Sequence, residues 1–307
     1  MRHATLKLAV LALVVTIATG ATFSKKLSVV ATTPDLAALA RAIGGAAIEV
    51  KALGKPTEDQ HFVDAKPSLV VTLNRADVLI EGGAELELGW LPALLESARN
   101  SKIAVGAPGR IVANKGVRMM EIPTSFDRSR GDVHALGNPH FVIDPVNVKL
   151  VVAQIADRLA QLDPANASLY NANLKAFNTR LEAKSAEWRN LLAPYRGAKI
   201  VTYHKDFPYF AERYGFQVVE NLEPKPGIAP SPSHLAKVIS IMKATDAHVI
   251  IVQPYQNRKT AETVARQANA VVVDLAQQPG AVKGTDTYFD LLDNIVRTLA
   301  NAFKTGK

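Results

Sequence analysis

The 307-residue chain contains no cysteine. That one absence excludes disulfide staples, thiolate metal sites and a lipid-bearing N-terminal cysteine together. Aromatic residues are sparse at 6%, and the formal net charge of +8 is spread along the chain with no long run of like charge. A nucleic-acid or polyanion surface needs clustered cations, and for single strands aromatic platforms as well, so the basic residues read as solvated surface. Low-complexity tracts and solenoid repeats are also missing. Long apolar runs are limited to one, "LAVLALVVTIATGA", which follows Arg2 and Lys7 and ends at Thr19, Gly20 and Ala21. It is short of the roughly 20 residues that a membrane span needs. Its three-part layout is that of a secretory signal peptide, residues 1–21, cleaved near Ala21. The mature protein is expected to be exported to the periplasm, soluble and without a membrane span.

What remains alternates short β-branched runs with helical periodicity. "KLSVVAT", "AIEVKAL", "ADVLIEGG" and "SKIAVGA" read as strands, separated by helical stretches such as "TPDLAALARAIGG", where Pro34 suits a first helical turn. The same grammar restarts with "AKIVTYH", "FQVVEN", "AHVIIVQP" and "AVVVDLA". Such alternation predicts an α/β protein of two lobes, each a mostly parallel sheet flanked by helices. Between them, Asp163 and Pro164 open a stretch with Tyr170, Leu174, Phe177, Leu181, Trp188 and Leu192 at helical spacing, unbroken until Pro194. Roughly 30 residues make a rod of about 45 Å, enough to run past both halves. The expected division is an N-terminal lobe over 22–162, a linking helix over 163–193 and a C-terminal lobe over 194–307.

The chemistry lies among seven histidines. His61 sits in "EDQHFVDAKPS", after a predicted strand, and His204 stands at the carboxyl end of "AKIVTYH". Ligands of open α/β sheets bind outside the carboxyl ends of the strands, so topology favours both. His140 lies in "GNPHFVIDP", where Asp144 and Pro145 look like the cap and first turn of a helix that holds it still. Asp286, in "GTDTYFDLLDNI", reads either as a helix N-cap or as a carboxylate partner to the imidazoles. Three imidazoles and one carboxylate suit zinc first, then manganese, iron or cobalt. No HExxH or short histidine pair is present, so spacing leaves two readings open: a metal site, or unrelated surface and capping residues. His134, His234 and His248 read as structural.

The segments "EDQHFVDAKPS", "GNPHFVIDP", "IVTYHKDFPYFAERYG" and "GTDTYFDLLDNI", in that order around a long central helix, resemble the substrate-binding proteins of zinc and manganese ABC transporters. The likeness extends over essentially the whole mature chain. It implies one divalent cation held between two lobes by His61, His140, His204 and Asp286, then passed to an ABC permease, with a periplasmic metallochaperone as a further possible partner. The third ligand position is glutamate in manganese-leaning members, so His204 implies Zn2+ as the transported ligand, with Mn2+ or iron as the alternative. The chain departs from the zinc members in lacking a long histidine-rich acidic loop: "EIPTSFDRSRGDVHALG" offers His134 alone.

The implied protein is a monomer and not an enzyme. A zinc hydrolase is the rival reading, and it needs an open coordination position for water. The long helix is expected to resist hinge opening, leaving local loop movement around His61 and His204 on metal loss.

Overall fold

The computed structural model describes residues 25–123 and 134–305, so the predicted signal peptide lies outside the described residues. Among the described residues, no helix is long and apolar enough to cross a membrane.

Two four-stranded parallel sheets form the frame. The first is built from β1 (Leu27–Ala31), β2 (Ile48–Ala52), β3 (Val78–Glu81) and β4 (Arg110–Val112), in spatial order β2-β1-β3-β4. The second uses β5 (Lys199–Thr202), β6 (Gln217–Asn221), β7 (Val249–Val252) and β8 (Val271–Asp274), in the equivalent order β6-β5-β7-β8. Every pairing in both sheets is parallel. The buried, β-branched runs β3 and β7 are what a sheet covered on both faces requires. In each sheet the chain order reverses beside the first strand, which leaves a crevice at the carboxyl ends.

Helices cover the sheets. The first lobe carries α1 (Pro34–Gly44), α2 (Pro67–Asn74) and α3 (Leu91–Ala98), and the second carries α6 (Pro208–Tyr214), α7 (Pro232–Thr245) and α8 (Arg258–Ala268). Between the lobes lie α4 (Pro145–Leu162), the long α5 (Ala167–Leu192) and the C-terminal α9 (Tyr288–Thr305). At 26 residues, α5 is about 39 Å long. Its apolar stripe is buried at Tyr170, Phe177, Leu181, Trp188 and Leu192. The helix opens later than its proline suggests, because Pro164–Asn166 form a 3-10 turn first. Asp163 turns its carboxylate to Asn166 Nδ2 and the Tyr170 hydroxyl, both at 2.7 Å, instead of to backbone amides.

One apolar core runs without interruption from the inner face of the first sheet through α1, α4, α5 and α9 to the second sheet. Two smaller clusters fill the outer faces of the sheets. The shared core is clamped by Asp293 on α9, which accepts from Trp188 Nε1 at 2.7 Å and from Lys184 Nζ at 2.8 Å. Wide lobe rotation would expose this middle layer to water, which the hydrophobic effect opposes.

One predicted strand is absent. In "SKIAVGA", Ser101–Ile103 form a 3-10 turn, and the fourth strand falls later, at Arg110–Val112. Asn100 causes the shift. Its Oδ1 caps the turn at Lys102 N–H, 3.0 Å, while its Nδ2 donates to the carbonyls of Leu73 and Ala76.

Candidate metal centre

Three of the four residues singled out by sequence meet. One ligand nitrogen from each of His61, His140 and His204 lies within 4.8 Å of the other two. The ring centroids form a near-equilateral triangle, 5.1 Å between His61 and His140 and 5.3 Å on each remaining side. His61 and His140 belong to the first half of the chain and His204 to the second, so the cluster sits where the lobes face each other.

Each ring is held by its own local device. His61 lies in the loop after β2, where the Gln60 side chain donates to the carbonyls of Lys55 and Glu58 and Trp90 Nε1 donates to the Gln60 carbonyl at 3.0 Å. Its Nδ1 donates to Asp59 Oδ1 at 2.8 Å. A carboxylate accepts, so the proton sits on Nδ1 and the Nε2 lone pair is turned toward the cluster. His204 follows β5 and repeats the arrangement, its Nδ1 donating to Glu223 Oε2 at 2.7 Å. Thr202 Oγ1 donates to the His204 carbonyl and itself accepts from Asn221 Nδ2, fixing the strand end.

His140 is set by a turn. Gly137 has φ +99°, and a Cβ there would stand 2.8 Å from the Met120 carbonyl, so only glycine fits. Asn138 Oδ1 then accepts from His140 N–H at 3.0 Å, and Pro139 stiffens the backbone between them. Downstream, Asp144 caps α4 by accepting from Val146 N–H at 3.0 Å, and Arg213 of the second lobe grips the same carboxylate with two nitrogens. His140 Nε2 is buried without a protein hydrogen-bond partner. A buried, unpaired ring nitrogen is costly unless something else uses its lone pair.

Electrostatics divide the cluster. Burial, reinforced by the neighbouring imidazoles, pushes His140 well below the usual histidine range, so it is neutral and able to bind. Burial pulls His204 in the same direction, but the Glu223 hydrogen bond and the charges of Asp206 and Glu223 outweigh it and raise its pKa. Burial likewise raises Asp59, yet the hydrogen bond and charge of His61 hold it below the ordinary carboxylate value.

Asp286, the expected fourth ligand, is not brought to this group. It is exposed and borders a separate hollow beside Arg41, Asn173 and Arg180. It is not the helix cap either. Thr287 takes that place, its Oγ1 accepting from Asp290 N–H at 3.2 Å and donating to Asp290 Oδ2 at 2.5 Å. With the cap one residue later than Asp286, Tyr288 and Phe289 begin the helix and lie in the core. In its stead the structure brings up His134, read from sequence as a structural loop residue: its Nε2 is 3.1 Å from His61 Nε2. Asn138 and Glu223 were also missed. The only sequence signal for Asn138 was its place between Gly137 and Pro139, and Glu223 had none.

Two hollows reach the cluster. A small one of about 30 Å³ lies on the inner side, bordered by Asp35, His61, His140 and Tyr255. The other, of about 660 Å³, is bordered by Glu121, His134, His140, His204, Glu220 and Glu223.

A family model described as "zinc-uptake complex component A periplasmic" matches residues 29–302. The chain belongs to that family. Members are substrate-binding components of transport rather than enzymes, which sets the hydrolase reading aside. Among curated relatives, the iron-binding protein YfeA of Yersinia pestis is 27% identical over 292 residues, covering 91% of this chain and 87% of its own. The high-affinity zinc uptake system protein ZnuA of Brucella abortus is 28% identical over 165 residues, 54% of this chain and 48% of that protein. Among solved structures, the binding protein FpvC of Pseudomonas aeruginosa, in complex with Mn2+, superposes with a TM-score of 0.77 at 24% identity, covering 92% of this chain and all of that one. At that identity the likeness is one of fold.

Proposed function

We propose that the protein is an extracytoplasmic receptor that takes up one Zn2+ ion as cargo, holding it with His61, His140 and His204, and presents it to an ABC permease. The observation that carries this reading is the convergence of three imidazoles, two oriented by carboxylates on Nδ1 and the third buried with an unpaired Nε2. Carboxylate-oriented histidines are the usual support of a metal ion. Relatives named for iron, zinc and manganese leave the choice of ion to the donor set. An all-nitrogen set supports zinc, since manganese favours oxygen ligands.

Export behind a signal peptide cleaved near Ala21, a monomeric state, loading by a metallochaperone and the division into lobes at 22–162 and 194–307 belong to the same reading. The continuous middle core supports small loop movements about His61 and His204 on metal loss, in place of a lobe rotation. The test is competition at one site. Metal-free protein is titrated with Zn2+ in the presence of excess Mn2+ or Fe2+ under anaerobic conditions. One Zn2+ bound per chain, undisplaced by either competitor, supports zinc; preferential Mn2+ or Fe2+ binding overturns that choice.

A further inference from the structure

The three converging imidazoles leave a fourth coordination position to be filled. Tetrahedral zinc takes four ligands, and with Zn–N bonds of about 2.0–2.1 Å two coordinated nitrogens stand roughly 3.3 Å apart. Most nearby carboxylates are committed elsewhere. Asp59 and Glu223 accept from the Nδ1 atoms of His61 and His204. Asp286 borders another hollow. Asp206 is fully buried, accepts from Gln253 with Oδ2 and leaves Oδ1 without a partner, but it borders neither of the hollows that reach the histidines.

His134 is placed differently. Its Nε2 faces His61 Nε2 at 3.1 Å, the two rings stack with centroids 5.1 Å apart, and it borders the larger hollow together with His140 and His204. The loop that carries it is tied down rather than trailing: Ala135 N–H donates to Glu85, and Gly137 N–H donates back to the His134 carbonyl at 3.2 Å. His134 stands outside the tight trio and touches it through His61 alone. Two ring nitrogens at that separation share one proton as a hydrogen bond, and they share one cation equally well once the proton leaves.

We propose that His134 supplies the fourth nitrogen to the bound ion and closes the site on the side of the larger hollow, in place of a carboxylate. This rests on the reading of His61, His140 and His204 as ligands. A four-imidazole site leaves no water on the ion, so the cargo is held closed.

The test uses Co2+ as a spectroscopic stand-in for zinc. The wild-type complex is expected to show the intense visible bands of a tetrahedral site and no change on adding azide. His134→Ala is expected to keep one Co2+ per chain with affinity lowered roughly 10-fold or more, weaker bands, and a spectrum that azide now alters. Identical spectra and affinity in wild type and His134→Ala, or an azide response already in wild type, overturn the inference while leaving the three-histidine site standing. A change produced by Asp206→Asn and not by His134→Ala overturns it in favour of that carboxylate. Failure of wild type to bind Co2+ or Zn2+ at all overturns the underlying reading itself.

Discussion

Asn138 joins the two halves of the cluster: its Oδ1 accepts from His140 N–H at 3.0 Å, while its Nδ2 donates to the Lys205 carbonyl at 2.7 Å, one residue beyond His204. Tyr209 completes the tie by donating its hydroxyl to the Asn138 carbonyl at 2.8 Å. Replacing Asn138 with Ala removes the two side-chain bonds to His140 and Lys205 and a third, from its Nδ2 to Glu121 Oε2 at 2.9 Å, and leaves a partly buried carbonyl and a partly buried N–H without this partner. The expected result is a stability loss of about 1–3 kcal/mol and zinc affinity lowered roughly 10- to 100-fold, the usual cost of losing a residue that orients a ligand. Chemical denaturation and zinc titration of Asn138→Ala check the two parts separately.

Glu223→Gln tests how protons compete with the ion. Burial alone would lower the His204 pKa, but Glu223 and Asp206 raise it. A proton on His204 excludes the metal, so zinc affinity falls as pH drops through that raised value. Removing the Glu223 charge lowers the His204 pKa, which moves the loss of zinc to lower pH. Above the His204 titration, where protons no longer compete, the variant binds roughly 10-fold more weakly because the orienting bond is weakened. Affinities measured between pH 5.5 and 8 for both proteins check this, and superimposable curves would contradict it.

Glu87 makes the metal-free protein lose stability toward neutral pH. Burial pushes its carboxyl up to about 7, against hydrogen bonds from Thr32 and the amides of Gly82 and Gly83. The folded state therefore holds a proton that the unfolded chain releases near its ordinary value of about 4.5. Its contribution is fully present below that value and is lost as pH rises through about 7. Thermal melts of metal-free protein at pH 5 and pH 8 should differ less for Glu87→Gln than for wild type.

Asp286→Ala is expected to leave zinc affinity within about twofold of wild type and stability within roughly 0.5 kcal/mol, as for an exposed residue outside the cluster. A loss of 10-fold or more on zinc titration would restore it as a ligand.

The sequence carried the fold well because the inner strands of both sheets are largely buried, β-branched-rich runs set between capped or proline-led helices. Leu174, one of the predicted core positions of α5, is only partly buried, while Tyr170, Phe177, Leu181, Trp188 and Leu192 are enclosed. The lost strand at "SKIAVGA" shows the limit: besides its local cap at Lys102 N–H, Asn100 satisfies two backbone carbonyls through tertiary contacts that no local pattern reveals. At the site, His61 and His204 were legible because each follows a strand, and His140 because prolines and a cap flank it. Asp286 was ambiguous because a carboxylate just before a helix looks alike as cap, ligand or surface group. Glu223 is 19 residues from His204, and only the parallel pairing of β5 with β6 brings the two together.

The most direct test of the account is native mass spectrometry of zinc-loaded wild type and His140→Ala, with zinc affinities measured against a competing chelator. One Zn2+ per chain in wild type and an affinity at least 100-fold lower in His140→Ala are predicted. Equal stoichiometry with unchanged affinity in the variant would contradict the convergence of His61, His140 and His204 on a single ion.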